Sequence, residues 1–245
     1  MKISVIIPTM NEEESIGEVL DEIHSALKPT GWDYEILMVD TNSKDRTREI
    51  GREKGAIIVD EPRRGYGRAY KTGFERATGD IIVTLDGDTT YPAYDIPRLV
   101  NILLKENLDF ITTDRLSNME KGAMSFKHRL GNWILAKTTN ILFGLHLRDS
   151  QSGMWVFRRG ILNKIKLTSD GMPLSEEIKI EAFKKVRAKE VPIKYRPRKG
   201  EVKLNSWKDG KENLKFLFRK KKMMKEELSL VEEKHSKEKD KEVEK

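Results

Sequence analysis

The sequence predicts an α/β protein built on a doubly wound, mostly parallel sheet with a charged C-terminal extension. Three observations predict it. Apolar, strand-like runs alternate with amphipathic helical runs from Ile3 to Thr113. The chain has 245 residues, a length that suits one large domain or a domain plus an extension. Beyond about Lys215 the composition changes, passing through a basic cluster into mixed Lys and Glu. The expected division is therefore a domain over residues 1–214 and a charged, partly helical or disordered tail over 215–245.

Taken in order, Ile3 to Thr9 reads as a buried strand, and Glu12 to Leu27 as a helix with Ile16, Val19, Leu20 and Ile23 on one stripe. Tyr34 to Val39 is a second strand, Lys44 to Lys54 a polar helix and Ala56 to Val59 a short third strand. Gly73 to Thr78 closes another helix, and Asp80 to Leu85 is a fourth strand that runs into Asp86-Gly87-Asp88. Asp95 to Lys105 then reads as helix and Leu108 to Thr113 as strand. Ligands of such sheets bind beyond the carboxyl ends of the strands, which points to the segments after Ile7, Val39, Leu85 and Thr113.

Ser125 to Leu147 mixes apolar and basic residues, and Lys137 interrupts any membrane-spanning reading. Two readings fit it: a helix packed on the sheet, or one lying on a membrane surface. Met154 to Phe157 reads as a strand, Leu174 to Val186 as an amphipathic helix and Ala188 to Tyr195 as a strand. Glu176 and Glu177 would complement the dipole at the start of their helix. Phe216, Leu217 and Phe218 lead into Arg219-Lys220-Lys221-Lys222, either a solvated tail or a contact with anionic lipid.

Composition narrows the classes. The chain has no cysteine, which excludes disulfides and cysteinyl metal or redox sites. No run of about 18 apolar residues predicts a transmembrane helix, and the opening MKISVIIPT is too short for a secretory apolar region. The expected location is cytoplasmic, peripheral at the cytoplasmic face of a membrane. A net charge of +7 suits a phosphate-rich partner. Nucleic acid is not the expected one, because it would leave acidic residues at strand ends unexplained.

Two phosphate-binding signatures fail on the same residue. Gly65, Lys71 and Thr72 have P-loop spacing, but Tyr70 stands where the second glycine belongs and would block the backbone cradle. The same tyrosine spoils a dinucleotide-binding glycine pattern. Asp86-Gly87-Asp88 is stronger. An apolar strand delivers two carboxylates two residues apart, on one side of the chain, with a glycine that permits a tight turn and close ligand approach. Such a pair is either a plain turn or two oxygen ligands of a hard divalent ion, Mg²⁺ or Mn²⁺, that also grips a diphosphate.

VIIPTMNEEESI, EILMVDTNSKDRT, GYGRAYKTGFERATGDIIVTLDGDTTYP, DSQSGMWVF and RKGEVKL, in this order, resemble the inverting nucleotide-sugar glycosyltransferases of family 2, which have the GT-A fold. Within them the chain looks most like the dolichyl-phosphate mannose and glucose synthases, from Ile3 to about Gly210. The resemblance implies transfer of a hexose from a UDP- or GDP-linked sugar to a polyprenyl (dolichyl) phosphate, with inversion at C1. It places Pro8, Met10 and Glu12 at the nucleoside, with Glu12 accepting from ribose hydroxyls. Glu12 reads equally as a helix-start acid favoured by the dipole. Asp40 and Thr41 would face the base; relatives usually carry two acids there, so uracil and guanine both stay open.

The resemblance further implies that Asp86 and Asp88, with Gly87 between them, hold the metal and diphosphate. Arg115, Arg198 and Lys203 would grip phosphate on the donor side, and Arg129 the acceptor phosphate. Asp149 and Ser152 of DSQSG would sit at the acceptor, where relatives with hydroxyl acceptors keep a base. A phosphate monoester needs none, being anionic at neutral pH. Its lipid tail would approach along Ser125 to Leu147. The alternative is a sugar-hydroxyl acceptor; the processive branch is disfavoured because its Gln-x-x-Arg-Trp motif is absent. A different class, a non-catalytic module docking on RNA or membrane through basic residues, would leave Asp86 without a role.

Overall fold

The computed structural model describes residues 1–199 and 206–243. Seven strands form one sheet: β1 (Lys2–Thr9), β2 (Asp33–Asp40), β3 (Ile57–Asp60), β4 (Ile81–Thr84), β5 (Phe110–Met119), β6 (Trp155–Arg158) and β7 (Ala188–Tyr195). The helices are α1 (Ile16–Leu27), α2 (Thr47–Glu53), α3 (Tyr66–Arg76), α4 (Ile96–Lys105), α5 (Phe126–Phe143), α6 (Leu174–Lys185) and α7 (Ser206–Val243). The spatial order is β3-β2-β1-β4-β6-β5-β7. The first four strands in that order are parallel, and so are β5 and β7.

Strand β6 runs against both its neighbours, β4 and β5. The reason lies in its connection. Helix α5 packs on α6 and α7 instead of crossing the sheet. The chain therefore re-enters β6 at the rim where β4 and β5 end, bringing Asp149 to Ser152 beside the strand ends that carry Asp86 and Arg115.

Alternation along β1 builds both faces of the core. Ile3, Val5 and Ile7 pack against α1 and α4, while Ile6 packs with Leu37, Val39 and the apolar sides of α3 and α6. The α1 stripe of Ile16, Val19, Leu20, Ile23 and Leu27 is buried as its spacing predicts. That helix starts at Ile16, not at Glu12. Glu12 instead lends its carbonyl to the amides of Ser15 and Ile16, and the Ser15 hydroxyl donates to the Gly87 carbonyl at 2.7 Å. The turn before α1 is thus tied to the Asp-Gly-Asp loop.

Helix α6 departs from the amphipathic expectation. Every residue from Leu174 to Ala182 is buried, including Glu176, Glu177, Lys179 and Glu181. The two glutamates therefore do more than face solvent at a helix start. Glu177 accepts from the amides of Thr168 and Ser169, at 2.9 and 2.8 Å, and pairs with the buried Lys220 of α7 at 3.1 Å. Lys220 also pairs with Glu181 at 2.6 Å. The boundary expected at 214/215 falls inside α7, where Asn213, Phe216, Leu217 and Lys220 are all buried.

Candidate active site

Strand β4 ends in a loop bent by Thr89, whose φ is 67°. Asp88 is almost fully buried. Its Oδ1 accepts from the Thr90 amide at 3.0 Å and hydroxyl at 2.6 Å, and its Oδ2 lies 2.6 Å from Nη2 of Arg198. The segment after β7 is clamped to the same loop, because the Arg196 and Lys199 amides donate to the carbonyls of Thr90 and Asp88. Asp86 faces two phenols from α3, with Tyr70 Oη at 3.3 Å and Tyr66 Oη at 3.5 Å. Burial pushes the Asp86 carboxyl up to about 7, helped by the charge of Asp88 and opposed by Arg198 and Arg115. Burial also holds Tyr66 and Tyr70 well above the phenol range, so both hydroxyls stay donors.

A hard cation fits these groups. Asp86 is a half-buried carboxyl whose ionisation is opposed by its surroundings, and among the described residues its hydrogen-bond partners are the two phenols at 3.3 and 3.5 Å. Two carboxylates two residues apart offer oxygen ligands to Mg²⁺ or Mn²⁺ and leave positions for a diphosphate. Among the described residues no group of three or more acids or histidines converges.

Behind this loop lies a buried ion pair. Arg115 of β5 donates from Nε and Nη2 to the two oxygens of Asp149 at 2.6 and 2.9 Å, and its amide donates to the same carboxylate at 3.1 Å. Despite its burial, Asp149 is held down to about 2 by that guanidinium. Lys179 of α6 donates to the Asp149 carbonyl at 3.1 Å, and burial pushes its ammonium down to about 7. The arginine also lies 5.3 Å from the centroid of the Tyr195 ring. Gln151 bridges outward: its amide donates to Glu176 at 2.8 Å and accepts from Asn213 of α7 at 2.9 Å.

The family model for glycosyl transferase family 2 matches residues 4–166. The chain belongs to that family. It is 37% identical over 219 residues to the low-salt glycan biosynthesis hexosyltransferase Agl6 of Haloferax volcanii, covering 88% of this chain but 53% of that protein. It is 35% identical over 211 residues to a dolichyl-phosphate hexose transferase of the same organism, covering 85% of this chain and 89% of the relative. Among solved structures, glucosyl-3-phosphoglycerate synthase from Mycobacterium tuberculosis in complex with Mn²⁺, UDP and phosphoglyceric acid superposes with a TM-score of 0.72. That match is 22% identical, covers 90% of this chain and 78% of that one, and shows a shared GT-A architecture.

In this family 2 chain the expected residues fall into two groups. Asp86, Gly87, Asp88, Arg115, Asp149, Ser152 and Arg198 gather where β4 and β5 end and β6 begins. Pro8 and Asp40 lie at the carboxyl ends of β1 and β2, and Met10, Glu12 and Thr41 follow these strands along the same rim. Glu12 lines a cavity of about 360 Å³ with Ser15, Lys44 and Asp45. A larger cavity of about 660 Å³, lined by Phe74, Asp80 and Arg159, lies at the opposite end of β4, away from the acids. Arg129 stands exposed in the first turn of α5. Lys203 lies outside the described residues.

Three geometries were not expected. Asp40 is buried and accepts from the hydroxyls of Thr9 and Ser43 at 3.2 and 2.5 Å, so its carboxylate shapes the loop after β2. Asp149 and Ser152 are fully buried, the former under Arg115 and the latter against the Thr113 hydroxyl at 2.6 Å. Tyr66 and Tyr70 reach Asp86, although Tyr70 was notable in the sequence only for spoiling two motifs. Their spacing of four on a helix leading into β4 was the available signal. Gly153 makes room for them, since a Cβ there would lie 2.2 Å from the Tyr66 hydroxyl.

Proposed function

We propose that this family 2 glycosyltransferase moves a hexose from a UDP- or GDP-linked sugar to a polyprenyl phosphate, with inversion at C1. The observation that carries the reading is the meeting of Asp86 and Asp88 with Arg198 and Arg115 at the carboxyl rim of the sheet. Asp86 and Asp88 would hold Mg²⁺ or Mn²⁺, which when bound neutralises the charge developing on the departing nucleoside diphosphate. Arg198 and Lys203 would fix the diphosphate, Pro8, Met10 and Glu12 the nucleoside, and Asp40 and Thr41 the base end. Arg115 would add its charge on the diphosphate side, and Arg129 would orient the acceptor phosphate.

An oxygen of that phosphate attacks C1 from the face opposite the diphosphate, and the C1–O bond breaks with its electron pair leaving on the nucleotide. No proton has to be removed from the nucleophile. The site agrees with this economy, because Asp149, the expected base for a hydroxyl acceptor, has both oxygens engaged by Arg115. The likeness to a dolichyl-phosphate hexose transferase over most of both chains supports the lipid-phosphate acceptor. Mn²⁺ and UDP in the complex of the structural neighbour support the donor side. Such a protein would work peripherally, at the cytoplasmic face of the membrane.

Incubating the full chain with UDP- and GDP-hexoses, polyprenyl phosphate and Mg²⁺ tests the reading. Nucleotide release that requires the lipid phosphate is the expected result; release indifferent to it contradicts the proposal.

A further inference from the structure

Helix α5 is apolar on two opposite sides. Leu135, Ala136, Thr139 and Phe143 are buried toward α6 and α7. Phe126, Leu130, Trp133, Ile134 and Ile141 are instead 77%, 48%, 55%, 45% and 81% exposed. At about 100° per residue these five fall in one arc of roughly 100°, on the side away from the buried residues. Large apolar side chains gathered in one exposed stripe mark a contact surface, whereas single ones do not.

Charge selects what covers it. The helix contains no acidic residue. On the same helical wheel Lys127 and Arg129 border the arc on either side, and Lys137 rises through its middle with its ammonium 6.0 Å from the Trp133 ring centroid. On its opposite, buried side α5 packs against α7, where Lys221 lies 5.7 Å from the Phe143 ring centroid. No helix of the described residues is long and apolar enough to cross a membrane. An apolar stripe flanked by cations suits a helix lying in the interface of an anionic bilayer, its aromatic and aliphatic side chains at the acyl boundary and its cations among the headgroups.

We infer that the outer face of α5, with Lys127 and Arg129 at its borders and Lys137 within it, docks the protein on an anionic lipid bilayer. Docking and sugar transfer are separable, because vesicle binding is read with no sugar donor present.

The test is co-sedimentation of the full chain with vesicles of phosphatidylcholine alone or with about one-third phosphatidylglycerol, at low and high salt. The wild type is expected to sediment with the anionic vesicles and to be released by salt. The triple variant Phe126→Ser, Trp133→Ser, Ile141→Ser should bind them at least ~10-fold more weakly with an unchanged melting temperature, since all three side chains are exposed. Lys137→Ala should weaken binding to the anionic vesicles alone. Absence of wild-type binding, equal binding to both compositions, or full binding by the triple variant would overturn the inference. So would a wild-type dimer that the triple variant converts to monomer while neither sediments, which would assign the face to a second copy of the chain.

Discussion

Asp88 is the residue on which most of the rim converges, holding Thr90 through one oxygen and Arg198 through the other. Asp88→Ala should lower transfer by roughly 100-fold or more while the chain stays folded, as checked by initial rates and circular dichroism. Asp149 belongs to stability first. Asp149→Asn leaves a buried Arg115 without its counter-charge, and a loss of about 3 kcal/mol is expected in urea unfolding. The pH dependence has a fixed sign. Asp149 is depressed from 3.8 to about 2, so its contribution is full above 3.8 and disappears as pH falls toward 2. Acid unfolding of Asp149→Asn should therefore be flatter than that of the wild type across that window. Of this residue set, the sequence made the Asp-Gly-Asp pair legible because strand alternation fixes its geometry locally. It could not show that Asp149 faces Arg115, because that pairing arises only when antiparallel β6 starts at the rim where β5 ends.

Helix α6 shows where local pattern stops informing. The α1 stripe was readable because one face meets an apolar core, whereas α6 buries Glu176, Glu177, Lys179 and Glu181 on partners brought from other elements. Those partners come from the segment before α6, the DSQSG loop and α7, and no periodicity records them. Glu176 gives this a measurable consequence. Burial raises its carboxyl from 4.5 to about 8, so the folded state binds a proton that the unfolded chain has released between those values. Stability must then fall as pH rises from 4.5 to 8. Glu176→Gln keeps a neutral amide in the same place and should remove that fall. Melting temperatures taken at pH 5 and pH 9 are expected to drop less for the variant; parallel drops would show that Glu176 is already ionised when folded.

At the scale of the molecule, the parallel half of the sheet and the tail behave differently. The order of strands and helices up to β5 followed from alternation alone, since each element buries one face on its neighbours. The C-terminal segment read as a charged tail because its composition is polar, yet α7 closes an apolar cluster of Leu135, Phe143, Leu147, Ile180 and Leu217 and buries Lys220 between two glutamates. Glu227→Ala takes away the exposed Lys166–Glu227 pair, worth about 1 kcal/mol at most, and should move the melting temperature by a few degrees or less. Lys220→Ala should cost more than that substitution, about 3 kcal/mol, because it strands Glu177 and Glu181 in the interior.

The rim acids, the cations around them and the nucleoside end of β1 and β2 form one site only if a divalent ion joins the acids to a nucleoside diphosphate. Thermal unfolding of the full chain with UDP or GDP, with and without Mn²⁺, measures this directly, since whatever binds the native state raises its melting temperature. One of the two nucleotides should stabilise the wild type only when Mn²⁺ is present, and Asp88→Ala should abolish the gain. Equal stabilisation without the metal, or its survival in Asp88→Ala, would contradict the account.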